Sequence, residues 1–207
     1  MTLHLRKNDG CHTIAPMMNN SAAIYVAHTD HAAVATALAA ILAAQGFIAV
    51  DRPPHAISGI IMIPDKPYRH FFIAPSTQGW VTIWEDPRYF ADRSLARALA
   101  AHLDTRSVWI EVGGNGVSWA RGLYHGDTVC EERFEAVETT FYGERGIVHL
   151  AFDPDTLPEE WITQLGLPYP ELHYEAILAG VMPPVGPPLH LAVQRSASAA
   201  PSAAALG

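Results

Sequence analysis

The chain has 207 residues, 49% apolar and only 16% charged, with 21 acids against 13 bases and a net charge of −8. Soluble domains usually carry ~25% charged residues, so this deficit points to a well-filled core and excludes a long disordered chain. The length suits one domain that buries roughly 70% of its unfolded surface and needs neither disulfide nor metal to hold together.

Residues 1–21 show no hydrophobic period and read as a loose arm. Arg6 and Lys7 are followed by Asn8, Asp9 and Gly10, so no secretory leader is expected, and Met17 or Met18 is an alternative start. A short apolar strand is expected over 22–27. A helix then follows, with Thr29 or Asp30 as N-cap, Val34, Leu38, Ile41 and Leu42 at helical spacing, and Gly46 as its stop. A strand over 47–50 completes a β-α-β unit. Strands are predicted over 59–63, 70–74 and 79–84; in the last, Trp80, Thr82 and Trp84 alternate with Val81 and Ile83, which predicts cover on both faces. Pro87 after Asp86 reads as the start of a second helix reaching Leu103, with Phe90, Leu95 and Leu99 on its stripe. The two helices share five of eight positions between LAAILAAQ and LARALAAH, a match that fits shared alanine-rich helix composition, with an ancient duplication as the alternative.

Glycine turns then punctuate a β-meander over 107–112, 117–124 and 128–134, which strands over 138–142 and 147–152 would extend. Short helices are expected over 158–165, ended by Gly166, and 170–179, ended by Gly180. The fold class is α+β: a mainly antiparallel sheet with two long helices packed on one face and short C-terminal helices. The domain should run from 22 to 180, with 181–207 as a Pro-rich segment and disordered Ala/Ser/Pro tail.

Charge is unevenly distributed. Residues 127–175 hold 12 acids against Arg133 and Arg145, a balance of −10, while the rest of the chain stands at +2. Nucleic-acid binding is disfavoured, because counterion release needs Lys and Arg facing phosphates. No apolar run reads as a membrane span, since the longest, 32–50, is nearly half alanine and is interrupted by Thr36, Gln45 and Gly46. Cys11 and Cys130 are far apart and read as reduced thiols of a cytosolic protein, a single bridge between them being the alternative, with Cys130 packed as a small apolar residue.

The sequence carries no recognised catalytic motif. Gly113-Gly114-Asn115-Gly116 precedes a strand and not a helix, so it reads as a hairpin turn and not a phosphate loop. Ser118 has Gly116 before it but Ala120 where a nucleophile elbow needs its second glycine, and Cys11-His12 lies in the arm. His28 and His31 could share a metal, but no glutamate stands beside the first, and capping by Thr29 or Asp30 explains the cluster better. Asp153 and Asp155 flank Pro154 in a DxD arrangement that suits either a divalent cation or a helix start. No cofactor is implied.

Trp109 shares a strand parity with Glu111, opposite Val108 and Ile110, and so is expected to be partly exposed. With Trp119, Glu131, Glu132 and Glu135 it forms the candidate binding face: aromatic anchors among carboxylates, suited to a basic protein partner. The expected function is a non-catalytic, cytosolic protein-binding module of immunity or antitoxin type. Two other readings stand beside it. One is a small metal-dependent hydrolase using Asp153 and Asp155 or His28 and His31. The other is a structural component of a larger assembly that docks through 181–191.

Overall fold

The computed structural model describes residues 21–54, 68–86, 92–113, 118–136, 158–169 and 172–196. Its strands are β1 (Ser21–Ala27), β2 (Phe47–Ala49), β3 (Tyr68–Ile73), β4 (Trp80–Glu85), β5 (Arg106–Gly113), β6 (Ser118–His125), β7 (Thr128–Ala136) and β8 (Leu189–Arg195). The helices are α1 (His31–Ala44), α2 (Arg93–Leu103), α3 (Pro158–Leu165) and α4 (Tyr174–Leu178). One eight-stranded sheet runs in the order β2-β8-β3-β4-β1-β5-β6-β7, with every strand pairing antiparallel. The α+β class and antiparallel sheet are therefore as the patterning predicts.

Local chemistry sets the helix ends. Asp30 adopts extended backbone geometry and its carboxylate accepts from Ala32 N–H at 2.8 Å, which makes it the N-cap of α1. Gly46 follows the helix at φ 84°, in the left-handed region that favours glycine. Helix α2 starts later than the Pro87 signal suggests. Asp92 is its N-cap and accepts from Ser94 N–H at 3.0 Å, whereas Asp86 directly follows β4 and is fully buried. Helix α4 is also shorter than expected: a turn in which Leu172 N–H donates to Tyr169 C=O at 3.1 Å, with Tyr169 at φ 58°, delays it to Tyr174.

Strand alternation divides the core. Val34, Ala37, Leu38 and Leu42 of α1 and Leu95, Ala96, Leu99 and Ala100 of α2 join one buried cluster. Ile24, Val26, Phe71, Ile73, Val81, Ile83, Trp109, Tyr124 and Val193 of the sheet belong to it too. Residues of opposite parity form two further clusters: Tyr25, Trp80, Val108 and Ile110 with Ile162 and Leu167, and Phe72 and Trp84 with Tyr169, Tyr174 and Ile177. Every residue of β4 is buried, as its two-sided apolar alternation predicts. Trp84 ties the chain before α4 to the sheet by donating its indole N–H to Leu172 C=O at 2.9 Å. Burying each of these aromatic side chains contributes on the order of 2–3 kcal/mol.

The largest departure from the sequence reading is β8. The expectation ends the domain at Gly180 and assigns everything beyond to a Pro-rich tail, yet β8 is inserted between β2 and β3, pairing with both. Val193 enters the helix-side cluster and Ala192 is buried, so this strand is part of the core. Its insertion also consumes 189–191 of the segment expected to dock onto an assembly. The strands expected over 59–63, 138–142 and 147–152, the arm and the end of the tail lie outside the described residues.

The two β-α-β connections differ in reach. Successive antiparallel pairings make β1 parallel to β2 with three strands between them, and β4 parallel to β5 with only β1 between. Among the described residues, no helix is long and apolar enough to cross a membrane.

Candidate functional site

The residues singled out for binding lie on the β5-β6-β7 meander, and the register shows which of them meet. Trp109 stands opposite Gly122, which stands opposite Glu132; Glu111 stands opposite Ala120. Trp109, Ala120 and Tyr124 belong to the cluster that takes side chains from α1 and α2, so Trp109, Glu111 and Glu132 share that face of the meander. Glu131 is opposite Leu123, which packs into the cluster on the other face. Trp119 and Glu135 are register partners on β6 and β7, and their side chains lie outside the described residues. The described carboxylates of β7 are therefore split between the two faces of the sheet.

Trp109 needs a correction. It is only 7% exposed, because it belongs to the buried cluster that also takes side chains from α1 and α2. Its indole is core, and its Nε1 has no hydrogen-bond partner among the described residues. Trp80 and Trp84 are core as well. The sequence pattern misleads here because Glu111 marks the parity as solvent-facing, whereas two places along the strand that parity runs under a helix.

Around Glu132 a polar cluster forms that the sequence reading missed. Tyr124 is fully buried, and its hydroxyl donates to Glu132 Oε1 at 3.0 Å. Glu132 Oε2 lies 3.7 Å from Arg93 Nη1 of α2. Burial first, then the hydrogen bond to Glu132 and its charge, pushes the Tyr124 phenol well above its ordinary range, so it remains a donor. The ring lies over Gly122: a Cβ there would meet Tyr124 Oη at 2.2 Å. A glycine two places before a tyrosine on one strand was the available signal, but it has meaning only once the ring is seen to fold back.

On the other face Arg121 donates through Nε to Glu131 Oε1 at 2.6 Å, with Nη2 also 2.6 Å from the same oxygen. Arg121 is buried, while the Glu131 side chain is 37% exposed and that of Glu132 is 38% exposed. Each carboxylate is thus anchored from within the domain and open on its outer side. Just before Glu131 the β6-β7 register shifts, leaving Cys130 without a register partner. Cys130 is exposed there, contrary to the expectation that it packs.

The metal candidates do not converge. Asp30 N–H donates to His28 Nδ1 at 3.0 Å, so this imidazole takes part in the cap of α1. His31 is the first residue of that helix. Asp153 and Asp155 lie outside the described residues, and among the described ones no group of three or more His, Cys, Asp or Glu side chains is placed to hold a metal.

A further polar network is buried in β3 and β4. Arg69 Nε and Nη2 donate to Glu85 Oε1 and Oε2 at 2.7 and 2.9 Å, a bidentate pair, and Arg69 Nη1 reaches Asp92, the N-cap of α2, at 3.5 Å. Arg69 also lies over the rings of Phe71 and Phe47, at 5.2 and 5.8 Å from their centroids. This ion pair joins the strands to the helix start and is structural in character. Comparison of the chain with protein-family models, with curated proteins and with solved structures found no match.

Proposed function

We propose that the protein is a non-catalytic binding module that captures a basic protein partner through the carboxylates of β7 and the acidic stretch around it, in the manner of an immunity or antitoxin protein. The observation that carries this reading is the pair Glu131 and Glu132. They lie on opposite faces of the last strand in the described sheet, each held by an internal partner and each more than a third exposed. A fixed carboxylate loses little side-chain freedom when a cation arrives, so more of the Coulomb attraction remains as binding free energy. The balance of −10 over 127–175 extends the same potential beyond the strand and favours fast capture of an oppositely charged protein. Binding energy on this reading comes from charge and edge contacts, with Trp109 supporting the strand from beneath.

The test compares the protein with a variant carrying Glu131→Lys, Glu132→Lys and Glu135→Lys, each immobilised and exposed to native lysate at low and high salt. Proteins retained by the unaltered chain should be basic, lost at high salt and absent from the reversed variant. A Glu→Gln version of the triple variant, with an unchanged melting temperature, separates lost attraction from lost folding. Equal retention by all three proteins at low salt would refute the acidic-strand reading.

A further inference from the structure

On the sheet face that packs against α4, two histidines of neighbouring strands meet. His70 of β3 is fully buried and His190 of β8 is exposed. His70 Nδ1 and His190 Nε2 are 3.2 Å apart, the rings are within 6° of parallel, and their centroids are 5.4 Å apart. The centroids are farther apart than the nitrogens by about one ring width, so the rings lie edge to edge nearly in one plane. The contact is an in-plane hydrogen bond between nitrogens that point at each other, which leaves no room for a metal between them. Register places His190 opposite Phe72 and His70 opposite Ala192, so the bond runs diagonally across the β3-β8 ladder near the end where β8 begins.

We propose that the His70–His190 pair is an acid-sensitive latch that holds the first residues of β8, 189–191, against β3. Two neutral imidazoles make this bond with one N–H and one lone pair. A first added proton preserves it, since an imidazolium still donates to the remaining imidazole. A second leaves two N–H groups facing each other with no acceptor, and the bond becomes a repulsion.

The neighbouring elements carry the titratable groups Asp86, after β4, and His173, Tyr174 and Glu175, at α4. From β4, Asp86 is buried and its N–H donates to His70 C=O at 3.0 Å. From α4 comes Glu175, whose carboxyl burial pushes above its ordinary range, with Asp86 adding to the rise and His173 opposing it. Tyr174 of α4 packs its ring 4.9 Å from Phe72, and Phe72 lies 5.4 Å from His190. No residue between 176 and 189 titrates. Partial burial of its ring lowers His190 from the ordinary histidine range, so the doubly protonated pair forms only as pH falls below that range.

When the latch opens, β8 frays from its Leu189 end and loosens the loop before it, which already exposes Val181, Met182 and Val185. Phe72 loses the His190 ring that covers it. The rest of β8 stays in place through its remaining pairs with β3 and β2.

Backbone amide exchange on the full chain at pH 7.5 and 5.0, corrected for intrinsic rates, tests the proposal. Protection at 189–191 should fall at least tenfold more than at the centre of β1, and His190→Gln, which cannot titrate, should abolish the difference. The imidazole nitrogen signals of His70 and His190 should titrate together in two coupled steps. Equal loss of protection at 189–191 and β1, the same pH dependence in His190→Gln, or two independent single-step titrations would each overturn it.

Discussion

Gly122→Ala tests the packing of Tyr124 over the meander. The added methyl would lie 2.2 Å from Tyr124 Oη, 2.6 Å from Cζ and 2.8 Å from Cε2, inside any tolerable contact. A flexible surface side chain would swing aside, but Tyr124 is fully buried in the cluster it shares with α1 and α2 residues and its hydroxyl is fixed on Glu132. Relief therefore requires the ring to tilt, at an overpacking cost of about 1–3 kcal/mol, and the hydroxyl to leave its acceptor, at about 1 kcal/mol more. The expected destabilisation is about 2–4 kcal/mol, on the order of 5–15 °C in melting temperature for a chain of this size. Urea denaturation of four proteins, unaltered, Gly122→Ala, Tyr124→Leu and the double variant, isolates the contact. With Tyr124 shortened, the alanine should cost less than 1 kcal/mol, so the cycle should return a coupling of roughly 1–3 kcal/mol. A Gly122→Ala melting temperature within 2 °C of the unaltered protein, or purely additive losses, would refute the reasoning.

Other expectations follow from the same contacts. Breaking the buried ion pair with Arg69→Met leaves Glu85 in an apolar setting and should cost about 3–5 kcal/mol, read by denaturant unfolding, while the paired change Arg69→Met with Glu85→Leu should recover most of it. Because the folded-state pKa of Tyr124 is raised, its contribution to stability is present below the unfolded value of 10.0 and is lost as pH rises above it; Tyr124→Phe should flatten that alkaline decline in melting temperature. Glu175 also has a raised folded-state pKa, so its contribution is complete below the unfolded value of 4.5 and disappears as pH rises through the folded one. Glu175→Gln should therefore raise stability more at pH 7 than at pH 4. Trp109→Ala should lose about 3–5 kcal/mol as a core truncation, whereas Trp109→Phe, which removes a buried N–H without a described partner, should cost far less and leave salt-dependent partner capture intact.

Much of the sheet was legible in the chain because its signals are local. The alternation of Trp80 to Trp84, the glycine at position 46 and the turn at His125-Gly126-Asp127 each constrain a few successive residues, and each appears where expected. The second helix start was misplaced because Asp86-Pro87 and Asp92-Arg93-Ser94 are both plausible caps, and burial of Asp86 is invisible without its neighbours. β8 was missed for a related reason. Its seven residues follow a run of prolines, contain one β-branched side chain and gain their burial only from the strands on either side. Strand parity alone misleads at two points: Glu111 suggests an open face for Trp109, and consecutive glutamates suggest one acidic surface where the strand sends Glu131 and Glu132 to opposite sides. The contacts that organise the site, Gly122 with Tyr124, Tyr124 with Glu132 and Arg69 with Glu85, depend on register and ring orientation, and no spacing rule encodes either.

The place of β8 in the sheet also orders events on the ribosome. β1, β4, β5, β6 and β7 can pair with one another once residue 136 has emerged, and both long helices are by then available to cover them. β2 has no described strand partner other than β8, and β3 meets β8 across 120 positions of sequence at the histidine pair. Among the described strands, β2 has nothing to join until residue 195 has left the exit tunnel, and until then β3 offers an edge rich in aromatic residues. This half closes late, after a long loop-closure step, and that interval is when the nascent chain is most open to aberrant strand pairing.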